Sequence, residues 1–181
     1  MQTWILLLQG INVSGQKRMA MPELQSMLAD LGLNNPRTYI QSGNAVFSSL
    51  ESNLSDLSRR IEAGIVDRFG YETPVFLRTV EDFARVIRKN PFLAERQEDP
   101  GHLHVTFLTN PLTENDRAGL TPPPSTTDEF QPGIEEIYVF CPEGYGRTKL
   151  NNPFFERKLK MQVTTRNWNT VLTLHNLAKE I

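Results

Sequence analysis

Cysteine is almost missing from this 181-residue chain. Cys141 stands alone, so no internal disulfide is available and a reducing, cytoplasmic setting is expected. Long apolar runs are missing as well, and none approaches the roughly 18–20 residues of a membrane span. The opening MQTWILLLQG has no basic residue ahead of its apolar stretch and no small-residue cleavage site, so it does not read as a secretion signal. Neither sign of charge dominates: 19 Lys+Arg against 21 Asp+Glu give a formal net charge of −2, which excludes a uniformly basic coat for nucleic acid. With three histidines and one cysteine, neither a metal set nor a cofactor is expected. What remains, 39% hydrophobic and 22% charged, is an ordinary globular composition long enough for one domain or two small ones.

The first strand is expected over Thr3–Val13, a nearly continuous apolar run that fits burial on both faces. A glycine-punctuated loop, Ser14–Ala20, follows. Pro22 then opens a helix with Leu24, Met27, Leu28 and Leu31 on one stripe and Gly32 at its end. Arg37–Ser48 reads as a hairpin broken at Ser42-Gly43-Asn44, Asn53 opens a second helix that ends at Gly70, and Val75–Leu77 makes a fourth strand. That order is the split-βαβ, ferredoxin-like arrangement. A helix from Thr79 stops at Asn90-Pro91, and the acidic stretch Ala94–Gly101 reads as a linker. His102–Leu108, Thr113–Leu120, the hairpin around Pro132-Gly133, a helix at Asn152-Pro153, an extended piece near Val163 and a last helix, Asn167–Lys179, repeat the plan in shorter elements. The expectation is an α+β fold of two tandem ferredoxin-like halves, residues 1–90 and 91–181, with antiparallel sheets covered by helices. Charge is uneven in the second half: 91–143 holds 2 basic and 10 acidic residues, 144–181 holds 7 basic and 2 acidic.

Four segments carry candidate chemistry, and each has a purely structural reading beside it. Gly10–Lys17 lies between a strand and a helix, as a phosphate-binding loop does. However, Gln16 separates the second glycine from Lys17, and Arg18 takes the place of the magnesium-binding hydroxyl, which excludes an ATPase. A weaker anion loop of Gly15, Lys17 and Arg18 is left, or simply a turn with two exposed cations. Gly144, Gly146, Arg147 and Lys149 combine close backbone approach with positive charge, or form a flexible turn packed by Tyr145. Arg166 offers bidentate contacts and Trp168 a stacking surface, or Asn167 caps a helix whose core anchor is Trp168. Gln41, Ser42, Gly43 and Asn44 face a ligand or only make a turn. Catalytic sets are poorly supported. His102 and His104 share a strand face without an acidic or Cys partner, Cys141 has no base beside it in sequence, Ser14 and Ser42 lack an elbow signature, and Glu135-Glu136 alternate faces.

Leu7-Leu8-Gln9-Gly10-Ile11-Asn12-Val13, Arg37-Thr38-Tyr39-Ile40-Gln41-Ser42-Gly43-Asn44, Gly146-Arg147-Thr148-Lys149-Leu150 and Thr165-Arg166-Asn167-Trp168-Asn169-Thr170 together resemble the bacterial DUF1697 family of uncharacterised proteins. Gln9 stands where the family pattern carries arginine. The resemblance spans Trp4 to about Leu177 and implies a cytosolic α+β protein of two ferredoxin-like parts, with no known reaction. The functional expectation is a protein that binds an anionic small molecule or nucleotide-like ligand and has no membrane association. Its expected ligand set is Gly10, Asn12, Gly15, Lys17, Arg18, Gln41, Ser42, Gly43, Asn44, Gly144, Gly146, Arg147, Lys149, Arg166, Asn167 and Trp168. An enzyme acting on a phosphorylated or nucleotide substrate is the first alternative, although no general base stands out. A single-stranded nucleic-acid binder is the second, although no run of glycine, aromatic and basic residues marks a central strand.

Overall fold

Strand β1 (Gln2–Leu8) is central in its sheet, pairing antiparallel with β3 (Asn44–Ser49) on one side and β4 (Val75–Thr79) on the other. This computed structural model describes Met1–Ile181 and shows an α+β protein with two four-stranded antiparallel sheets. Internal contacts divide the chain into unit 1, Met1–Phe83 with Thr173–Ile181, and unit 2, Ala84–Leu172. The division expected at 90/91 falls inside unit 2.

In unit 1 the elements run β1, α1 (Met21–Asp30), β2 (Asn34–Tyr39), β3, α2 (Leu54–Phe69), β4, with strand order β2-β3-β1-β4. Trp4, Leu6 and Leu8, alternating along β1, pack with Leu24 and Leu28 of α1 and Leu57, Ile61 and Ile65 of α2. Ile5 and Leu7, on the other face, are fully buried too, which explains why β1 reads as a continuous apolar run. Pro22 occupies the first turn of α1, where a missing N–H costs nothing. Asn53 caps α2, its Oδ1 accepting from the amides of Ser55 and Asp56, and left-handed Gly70 ends the helix.

The first strand is shorter than its apolar pattern predicts. Gly10, Asn12, Ser14 and Gly15 all have positive φ, and a chain in that region cannot extend a ladder. Ile11 is nevertheless buried, so hydrophobicity alone does not distinguish this folded-back loop from strand.

Unit 2 contains the end of α3 (Val80–Arg88), α4 (Pro91–Ala94), a 3₁₀ turn at Pro100–His102 and β5 (Leu103–Leu108). There follow α5 (Glu114–Gly119), β6 (Glu129–Pro132), β7 (Glu136–Phe140), a second 3₁₀ turn at Tyr145–Arg147, α6 (Asn152–Leu159), β8 (Val163–Asn167) and the start of α7 (Trp168–Lys179). The strand order, β6-β7-β5-β8, has the same form as that of unit 1. Leu108, Ile137, Val139 and Val163 meet Phe154, Phe155 and Leu159 of α6 over one face.

Asn90-Pro91 does more than stop a helix. The Asn90 side chain accepts from the Phe92 amide and starts α4, with Pro91 in its first turn. The stretch expected as a linker includes the 3₁₀ turn, capped by Asp99. A capping box between Thr113 and Asp116 begins α5.

Candidate functional site

In unit 1 the two polar loops of the sequence analysis meet through one side chain. Asn12 Nδ2 donates to the carbonyls of Met19 (2.8 Å) and Gln41 (2.7 Å), while its Oδ1 accepts from the Met19 amide (2.9 Å). Asn tolerates the left-handed backbone it adopts here, φ 53°, better than other side chains do. The Gly43 carbonyl accepts from the Leu8 amide (2.9 Å). A Cβ on Gly43 would lie 2.6 Å from Ile11 Cδ1, so glycine is needed where these segments cross. Asn44 is buried and donates to Ser42 Oγ (2.8 Å) and to the Tyr39 carbonyl (3.1 Å), closing the β2–β3 turn.

One of the two cations of this loop is drawn back on the protein. Lys17 Nζ donates to the Glu72 carbonyl (2.7 Å) and lies 5.9 Å from the Tyr71 ring centre. The Tyr71 hydroxyl donates to the carbonyls of Lys17 and Arg18 (3.1 Å each). Gly10, Gly15 and Arg18 lie exposed along the same loop.

The remaining candidates belong to unit 2, where they fall into two environments. Arg166 is only 7% exposed, and its Nη1 donates to Thr164 Oγ1 (2.7 Å) and the Thr165 carbonyl (3.0 Å). Burial pulls the guanidinium down to about 10, so it still carries its charge at neutral pH. Asn167 Oδ1 accepts from the Thr170 amide (2.8 Å) at the start of α7, and Trp168, 3% exposed, is a core residue. On the opposite face of the sheet, Thr106 and Thr165 hydroxyls lie 2.8 Å apart, Thr165 donates to Asn152 Oδ1, and the His104 ring stacks on Tyr145 at 4.5 Å. Burial raises the Tyr145 phenol and lowers His104. Cys141 is fully buried and its thiol is pushed up to about 11, chiefly by desolvation, which leaves it protonated and unreactive at neutral pH. His102 lies in the 3₁₀ turn before β5, its Nδ1 3.0 Å from the Cys141 carbonyl. No group of three or more His, Cys, Asp or Glu is placed to hold a metal ion.

The second environment is open. Gly144, with φ 91°, turns the chain after β7, and Gly146 and exposed Arg147 lie in the 3₁₀ turn that follows. Lys149 then enters a groove of about 560 Å³, together with Asn151, Arg157 and Lys158 from the α6 region and Pro122, Pro123 and Pro124 on the other wall. Lys149 Nζ donates to the Pro124 carbonyl (3.3 Å), tying the proline segment to the groove, and Arg157 lies 6.0 Å from the Phe154 ring centre. The groove lining holds three cations and no carboxylate. Arg157 and Lys158 were missed by motif reading, because an amphipathic helix with two exposed cations has no distinctive spacing. The excess of basic residues after 144 was the available signal.

No helix is long and apolar enough to cross a membrane. A family model described as "Protein of unknown function (DUF1697)" matches residues 1–138. No curated protein matches the chain. The solved structure of the conserved bacterial protein SP0830 from Streptococcus pneumoniae is similar at a TM-score of 0.75 and 26% identity, over 98% of each chain. With more than half of its length matched and the resembling loops in place, this chain belongs to the DUF1697 family, whose function is unknown.

Proposed function

We propose that this protein binds a small anionic molecule with an apolar or planar portion, such as a nucleotide, in the groove beside α6 of unit 2. The observation that carries the reading is the lining: Lys149, Arg157 and Lys158 face one opening that no carboxylate neutralises. Charge-assisted hydrogen bonds from such cations are the strong ones available to a phosphate, and the rings of Pro122 and Pro123 give the rest of the ligand an apolar wall. Gly144, Gly146 and Arg147 precede this groove in the chain and supply backbone freedom and one further charge. The finer architectural reading belongs with this one: each unit is a ferredoxin-like split βαβ, supported by the matching strand orders β2-β3-β1-β4 and β6-β7-β5-β8. A cytoplasmic setting is supported by the single, unpaired cysteine.

Calorimetric titration with adenosine 5′-monophosphate and with inorganic phosphate tests the proposal. Arg157→Ala and Lys149→Ala are each expected to weaken binding by about tenfold, the effect of one charge-assisted contact. Affinity that survives the double substitution, or no saturable binding by the unsubstituted chain, would refute it.

A further inference from the structure

A second cavity of unit 2 was not marked by any motif. It begins with a turn: Pro132-Gly133 joins β6 to β7, and Glu136 is the first residue of β7. Alternation along β7 puts Glu136 and Tyr138 on the same face, and the Glu136 carboxylate is almost wholly buried, at 3% exposure. Gly133 makes this possible, because a Cβ there would lie 2.6 Å from Glu136 Cδ. The carboxylate is held from several sides. The Glu135 amide donates to Oε2 (3.2 Å) and the Ile134 amide to Oε1 (3.4 Å), Arg85 Nη2 lies 3.8 Å from Oε2, and the Tyr138 hydroxyl, which donates to the Val86 carbonyl (3.1 Å), lies 3.4 Å from Oε1.

Arg117 of α5 is fixed separately, its Nη2 donating to the Gly133 carbonyl (2.5 Å). Lys89, just past α3, is exposed at the same opening. Together with Pro91 and Ile134 these groups line a cavity of about 400 Å³. Its lining carries three cations against the one carboxylate of Glu136, and Glu114, 3.8 Å from Arg117 Nε, stands outside the lining with its side chain in solvent. Such convergence is costly for an empty site and favourable once a matching anion enters. None of these residues lines the groove that contains Lys149.

We propose that this cavity is a second ligand site, which takes a small dianion, either a dicarboxylate or a doubly ionised phosphate, with Arg85, Lys89 and Arg117 as its contacts and Glu136 as a positioning residue that aims Arg85. Glu136 also disfavours monoanions, since a ligand must bring enough negative charge to compete with a carboxylate already present.

The test is calorimetric titration of the full chain carrying Lys149→Ala, Arg157→Ala and Lys158→Ala, so that the first groove keeps none of its three cations. Succinate, inorganic phosphate in mildly alkaline buffer and acetate are the three probes. One-site binding of succinate or phosphate with Kd below about 1 mM is expected, with acetate at least about tenfold weaker. Succinate alone would identify a dicarboxylate site, and phosphate alone a phosphoryl site. Adding Lys89→Ala, at an exposed position where the thermal midpoint is expected to stay within about 1 °C of the parent, is expected to weaken binding about tenfold. Acetate binding as tightly as succinate and phosphate, no saturation by either dianion, or full affinity in the Lys89→Ala protein would overturn the proposal.

Discussion

Replacing Asn12 by alanine tests how the two family-specific loops of unit 1 are joined. The substitution removes three side-chain hydrogen bonds, two to Met19 and one to Gln41. At about 1 kcal/mol each, less for the exposed bond to Gln41, these contribute about 2 kcal/mol. It also places alanine at φ 53°, a left-handed conformation that costs an ordinary side chain about 1 kcal/mol more than it costs asparagine. The total is about 3 kcal/mol. Glycine at the same position loses the bonds but not the backbone fit, so Asn12→Gly should be roughly 1 kcal/mol less damaging than Asn12→Ala. Amide hydrogen exchange suits a two-unit chain better than a global midpoint, because it reads each segment by itself. The Met19 amide, which donates to Asn12 Oδ1, should exchange about 30-fold faster in the glycine variant, equivalent to about 2 kcal/mol, and faster still with alanine. Unchanged Met19 protection in both variants would refute the reasoning, and equal effects of alanine and glycine would refute its backbone part.

Gly43→Ala is expected to destabilise unit 1 by about 2–4 kcal/mol, because the new methyl meets Ile11 and Leu8 at 2.6 and 2.8 Å and φ is +74°. A urea midpoint within experimental error of the parent would contradict this. Cys141 should give no reaction with a thiol reagent in the native protein at neutral pH and one equivalent after denaturation; rapid native labelling would show that the site opens. His104 makes stability depend on pH. Burial lowers its pKa below the ordinary 6.5 and outweighs a hydrogen bond with the His102 backbone that acts in the opposite sense, so the unfolded chain binds more protons and stability falls as pH drops from about 7 toward 5. His104→Gln should flatten that slope in denaturation curves at the two pH values, leaving the share of His175, which is lowered in the same sense. An unaltered slope would exclude His104 as its source.

Much of the local structure was legible because it is decided locally. Asn53 and Gly70 bound α2, and Thr113 and Asp116 start α5, all from contacts within a few residues. The excess of positive charge after residue 144 was equally visible. Other features depend on partners distant in sequence. Ile11 is as apolar as a strand residue, and only the cluster of left-handed residues around it turns the chain away from the sheet. Asn12 looks like an ordinary loop asparagine until Gln41, 29 positions away, receives its hydrogen bond. Arg166 reads as an available cation, but the sheet buries it, whereas Arg157, unremarkable in sequence, opens onto a groove. Glu136 reads as one of two adjacent acids, yet the missing side chain of Gly133 lets it fold under Arg85. Composition and short-range pattern therefore determined which segments become helix, strand and cap. Which charges are buried and which face a cavity was decided only when remote segments packed, since desolvation depends on neighbours in space rather than along the chain.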